Sequence, residues 1–276
     1  MAALVLSPAA RRALAGVWAY RARSERQAVV RFTRLHGELG AVGAAPEVLA
    51  LAEAAIEDER RHVVICERLA QGYGDTSTST STSTSTSTST STSTSTSTST
   101  STSTSTSTSE APPIGPSTLA PRDRLLYEIV AFCCVTESLN AALMAVCRSA
   151  AEVPDVRAAL REILADEVGH ARLGWAHLAA ERAAGRGDFL AAMLPRMLAA
   201  TVADELFTPL PGGLDEAALR SHGELPETTR LGIFTGTMTD VVLPGLAALG
   251  VDPRPAQAWL ASRPGASGPE LQLQGR

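Results

Sequence analysis

Lysine is absent from this 276-residue chain, so its 24 basic residues are all arginine, and against 29 acidic residues they leave a net charge of −5. A general basic surplus of the kind that neutralises phosphates is therefore excluded, and nucleic acid is not an expected partner. Long apolar runs are also missing: charged residues interrupt each one before the roughly 20 positions of a membrane span. Met1–Pro8 has no basic segment ahead of its short apolar run. No membrane partner is expected, and the chain reads as cytoplasmic. Cys66, Cys133, Cys134 and Cys147 form no C-x-x-C pair, which excludes a rubredoxin-like iron site and a disulfide framework. They read as core thiols. No flavin, nicotinamide or iron–sulfur motif is present.

What is there begins with 45% hydrophobic residues, ample for a buried core in one large domain or two small ones. Thr76–Ser109 is an unbroken alternation of Thr and Ser. As a strand it would carry hydroxyls on both faces, with no burial to offset the ordering entropy, so it is expected to be a disordered linker.

Two pairs of helical patterns flank this tract. The first opens at Ser7-Pro8, an N-cap followed by proline in the first turn, and ends in the glycine-bearing run Gly37–Gly43. Its partner runs from Pro46 to Gly72-Tyr73-Gly74. Pro121 opens a third pattern reaching about Ala150, and Pro154-Asp155 a fourth ending near Gly185. Short links within each pair imply antiparallel hairpins, and the long link between pairs implies one crossover. The expected organisation is a first hairpin over 1–75, the linker over 76–109, a second hairpin over 110–187, and accessory helices with a loose tail over 188–276. The fold class is all-α: a four-helix bundle with additional C-terminal helices.

Each helical stripe is apolar except near its middle, where the exceptions are metal-ligand types. The first helix offers Glu25, the second Glu59 and His62, the third Glu137 and the fourth Glu167 and His170. Four ionised carboxylates in an apolar core repel one another and demand cations. Glu and His three apart share one helix face and can bind one ion, leaving the other glutamates to bridge or complete the sites. Depth along the bundle supports the same choice: Glu25 lies 18 residues before Gly43 and Glu59 16 after it, while Glu137 and Glu167 are each 15 from Glu152. At 1.5 Å per residue that mismatch is only about 3 Å. Glu38 fails this test by lying almost in the first turn, and Glu128 by about 13 Å.

Other polar residues near these positions carry two readings each. Asp58 and Asp166 either orient His62 and His170, within a helix or across helices, or are solvated helix charges. Cys133 and Asn140 flank Glu137 by one turn and either touch the metals' open face or pack. His177 is a seventh ligand or a polar residue near the bundle end; Tyr20 and Trp18 relay electrons or belong to the core.

Asp58-Glu59-Arg60-Arg61-His62 and Asp166-Glu167-Val168-Gly169-His170 resemble the paired motifs of the ferritin-like di-iron carboxylate superfamily, over about residues 8–185 outside the repeat. The resemblance implies two metal ions, iron foremost, with manganese or a mixed pair as alternatives. Glu25, Glu59, His62, Glu137, Glu167 and His170 would be the ligands and the catalytic centre, with Glu59 and Glu167 as bridges. Cys66 stands where ribonucleotide reductase small subunits carry a radical tyrosine, which disfavours that role; rubrerythrins usually add a rubredoxin module, and ferritins end soon after the bundle. The implied activity is an oxidase or oxygenase using O2 on a small organic substrate, with electrons from an external reductase or from the substrate. A ferroxidase and a manganese protein that dismutates peroxide are the alternatives. The C-terminal helices would serve as a lid, a substrate wall or an oligomer contact, including a homodimer.

Overall fold

The computed structural model describes residues 6–74 and 111–263. The Thr/Ser tract and the tail expected to be loose lie outside them. Every regular element among the described residues is helical.

Helix α1 (Pro8–Ala41) starts where the sequence places it: Ser7 stays extended and its hydroxyl accepts from the Ala10 backbone N–H at 3.1 Å. The chain reverses at Gly43, whose φ of 69° suits a residue without Cβ, and returns as α2 (Pro46–Gly74). Pro121 opens α3 (Pro121–Ile129), which continues through a π-helical segment, Val130–Glu137, into α4 (Ser138–Ala150). Helix α5 (Pro154–Ala183) follows after a short link. Helix α1 packs along α2, the α3–π–α4 rod along α5, and the pairs meet through α2 on α5 and α1 on α3. Arg31 and Arg34 of α1 both pair with Glu128 of α3, which is 1% exposed. The buried charge that failed the depth test is thus balanced by arginines.

The ligand positions interrupt the core as one layer. On one side lies a cluster including Ala28, Phe32, Ala55, Ile56, Ile129 and Leu173. On the other lies a larger one including Trp18, Ala22, Ile65, Cys66, Leu139 and Ile163. Gly174 lets α5 approach the π segment closely, since a Cβ there would stand 2.6 Å from Cys133 Cβ and 2.9 Å from the Cys134 backbone nitrogen.

The C-terminal region is helical, as expected, and irregular. It comprises α6 (Leu190–Val202) with Pro195 inside it, a 3₁₀ turn at Glu205–Phe207, α7 (Glu216–Ser221), α8 (Glu227–Thr237), a second π segment at Met238–Val242, α9 (Leu243–Ala248) and α10 (Arg254–Ala261). Helix α6 lies on the first π segment, α8 on α4, and α10 on α6. Two stretches, Pro121–Ala150 and Glu227–Ala248, have the length and composition to cross a membrane; the apolar windows are 61% and 33% buried within the protein.

Candidate metal centre

All six ligand-type residues meet in one layer. Glu59, His62, Glu137, Glu167 and His170 are each at most 2% exposed, and Glu25 is partly buried. Their donor atoms form two groups whose members lie within 4.8 Å of one another: Glu25, Glu59, His62 and Glu167, and Glu59, Glu137 and His170. Glu59 belongs to both, the position of a bridge. Glu167 falls in the group with His62, and its Oε2 also lies 3.6 Å from Nδ1 of His170 in its own motif.

Both imidazoles turn Nδ1 inward. His62 Nδ1 is 3.3 Å from Glu59 Oε2, and His170 Nδ1 is 3.3 Å from Glu59 Oε1. Their Nε2 atoms face outward and crosswise: His62 Nε2 lies 3.1 Å from Asp166 Oδ2, and His170 Nε2 lies 3.4 Å from Asp58 Oδ2. Each motif's aspartate therefore serves the other motif's histidine. Arg61 joins the two, donating through Nη2 to Asp58 Oδ1 at 2.8 Å and to Asp166 Oδ2 at 2.9 Å. A carboxylate accepting from the outer ring nitrogen fixes the tautomer that leaves the inner one as a lone-pair donor.

The electrostatics of the layer are those of a site short of positive charge. Burial raises Glu25 and Glu137 well above the ordinary carboxylate range, and the neighbouring carboxylates push the same way: Glu59 and Glu167 on Glu25, Glu167 and Glu59 on Glu137. Burial pulls His170 down, but Glu167 and Glu59 outweigh it and lift the ring to about 11. Burial would raise Glu59 too, yet both histidines and Glu25 hold it at about 2. Among the described residues, Glu167 Oε2 and His170 Nδ1 are buried and make no hydrogen bond of acceptable geometry. Orphaned buried acceptors are costly unless something meets them. A carboxylate-and-imidazole donor set with a shared glutamate fits two divalent cations, which would supply both the missing charge and the missing partners.

No protein family, curated protein or solved structure matches the chain. Its site must be read from its own residues.

Around the ligands, Asn140 donates to Glu137 Oε2 at 2.9 Å and holds that carboxylate from one turn away. Cys133 is buried among the apolar residues beside Gly174. Burial and the neighbouring carboxylates hold Cys66 at about 12 despite Arg21, so both act as thiols. His177 is buried but outside both ligand groups, and burial lowers it. Trp18 is fully buried, and the Tyr20 hydroxyl donates to Asp204.

Sequence periodicity missed three features. The π segment ends at Glu137, and Thr136 Oγ1 accordingly donates five residues back to the Ala131 carbonyl at 3.1 Å. The Arg61 link joins helices about a hundred residues apart. A cavity of about 400 Å³ opens onto Glu25, Glu59, Glu137 and Glu167 between α1, the π–α4 rod and α6. None of the three leaves a local signal in the sequence.

Proposed function

We propose that this protein is a dinuclear metal oxidoreductase of the ferritin-like carboxylate type, with a four-helix bundle as its scaffold. It would be an O2-activating oxidase or oxygenase that acts on a small organic molecule. The observation that carries the reading is the pair of ligand groups sharing Glu59, with two buried donor atoms, Glu167 Oε2 and His170 Nδ1, that make no hydrogen bond among the described residues. Glu25, Glu59, His62 and Glu167 would hold one ion and Glu59, Glu137 and His170 the other. Iron is the metal proposed, because its redox chemistry supplies the activation of O2 that no side chain can.

The chain's own residues do the rest. Asp166 and Asp58 orient His62 and His170, and Asn140 orients Glu137. The apolar clusters on both sides of the layer keep bulk water away. The cavity supports an organic substrate over iron storage, since Fe(II) as substrate needs no apolar chamber; volumes of about 300–1,000 Å³ suit small molecules.

Metal content of the purified protein tests this reading. About two ions per chain are expected after metal-replete expression, falling steeply in Glu59→Ala and Glu167→Ala, and chelation should lower the melting temperature. Less than about one metal per chain in the unmodified protein would sink the proposal.

A further inference from the structure

The cavity wall contains three arginines, Arg21, Arg31 and Arg196. Arg31 is matched by Glu128, and Arg196 is exposed to solvent. Arg21 differs from both. It is 7% exposed, stacks over the Trp18 ring at 4.4 Å, and its Nη2 donates to Glu224 Oε2 at 3.2 Å and to the Gly223 carbonyl at 3.4 Å. Its Nη1 is buried and has no hydrogen-bond partner among the described residues. Glu224 is not Arg21's alone, because the equally buried Arg230 donates to it as well. Two buried guanidiniums thus share one carboxylate, leaving a single uncompensated positive charge at the cavity wall. Glu25, one turn further along α1, is committed to the metals on the reading proposed above.

We infer that the cavity binds a monoanionic carboxylic acid, with Arg21 Nη1 donating to the carboxylate and the apolar wall taking the body of the molecule. The inference rests on the proposed function and names its substrate class. One excess charge calls for one negative charge on the ligand. A guanidinium with a free, desolvated donor recognises a carboxylate through a charge-assisted hydrogen bond. Leu143, Met144, Ile163 and Phe207, which line the same cavity, are apolar and suit the body of the molecule. Arg21 lies four residues from Glu25, about 6 Å along the helix, so a carboxylate held there lays the adjoining carbons of the acid across the ligand layer.

The test uses full-length protein, with metal content assayed on every sample, and titrates octanoate, octanol and octylamine by calorimetry. Octanoate should bind at least about tenfold tighter than octanol, with octylamine weakest. Arg21→Gln should abolish the octanoate preference and Arg21→Lys should keep part of it, with Arg161→Gln, exposed and away from the cavity wall, as a surface control that leaves it intact. Circular dichroism and metal content report whether each variant is folded. Equal binding of octanoate and octanol by the unmodified protein would overturn the inference without reference to any variant. So would an octanoate preference that survives Arg21→Gln, the result expected if the acid merely ligated the metals. Because metal content is read separately, absence of the preference in metal-replete unmodified protein refutes the carboxylate site alone. Low metal with the Arg21-dependent preference intact refutes the metal reading alone.

Discussion

Replacing Asp166 by alanine removes the group that His62 Nε2 faces at 3.1 Å while leaving every proposed ligand in place. Loss of such an outer partner typically costs 10–100-fold in metal affinity, about 1.4–2.7 kcal/mol. Asp58→Ala should cost less, because the His170 contact is longer at 3.4 Å. Arg61→Ala should cost less again. Its side chain is 48% exposed, and an ion pair so open to water contributes about 1 kcal/mol at most. The ranking Asp166, Asp58, Arg61 can be measured by competition for Fe(II) with a chromogenic chelator under anaerobic conditions. The crosswise geometry is then tested by a double-mutant cycle. Asp166→Ala and His62→Ala, whose side chains touch, should couple by about 0.5–3 kcal/mol, whereas Asp166→Ala and His170→Ala should be closer to additive. Coupling of Asp166 to His170 instead, or three substitutions that leave affinity unchanged, would refute the assignment and return both aspartates to solvated helix charges.

Gly174→Ala should destabilise the fold by about 1–3 kcal/mol and weaken metal binding. The new methyl would meet the Cys134 backbone nitrogen at 2.9 Å and push the segment that ends in Glu137 away from α5; unchanged urea midpoints would contradict this. Glu128→Ala should cost about 2 kcal/mol by leaving Arg31 and Arg34 without their shared carboxylate, yet metal content should not change; a loss of metal would place Glu128 at the centre after all. Glu181 is held at about 2 instead of 4.5, chiefly by hydrogen bonds from Arg186 and also by Arg122. A carboxyl lowered on folding stabilises fully above the unfolded value of 4.5 and loses that contribution as pH falls toward 2. Both arginines are 38% exposed, so solvent screening leaves about 1–2 kcal/mol. The stability gap between wild type and Glu181→Gln in urea should therefore narrow from pH 6 to pH 3, and an equal gap at both would count against it.

The helix limits were legible in the sequence because single residues mark them. Ser7 and Pro8, Pro46, Pro121 and Pro154 stand at observed starts, and Gly43 at the first reversal. The ligand layer was legible for a different reason. Buried carboxylates at equal depth on neighbouring helices are anomalies in an apolar stripe, and an anomaly can be counted without coordinates. The π segment was not legible, because widening a turn to an i+5 spacing depends on what α5 and α6 press against it. Nor was the clasp of Arg21, Glu224 and Arg230, in which Arg21 stands about two hundred residues from its two partners and obeys no period.

That division bears on where the chemistry of this chain is specified. Five of the six candidate ligands sit on helices whose limits the sequence marks, and the sixth, Glu137, ends the π segment, whereas the wall opposite them is assembled from contacts that only the folded chain makes. Tyr20 with Asp204 and Arg21 with Glu224 both tie α1 to the C-terminal region, and Tyr20, Arg21 and Asp204 line the cavity. Residues beyond Asp188, expected to be accessory, thereby supply the cavity's cover and the counter-charge that leaves Arg21 one donor short of partners. A truncation after Asp188 would keep all six ligand residues and remove Glu224, Arg230 and Phe207. Metal binding and substrate selection should then separate, with metal retained to the extent that the two helix pairs still fold and the octanoate preference lost. Retention of that preference by a folded truncation would show that the C-terminal helices do not shape the site.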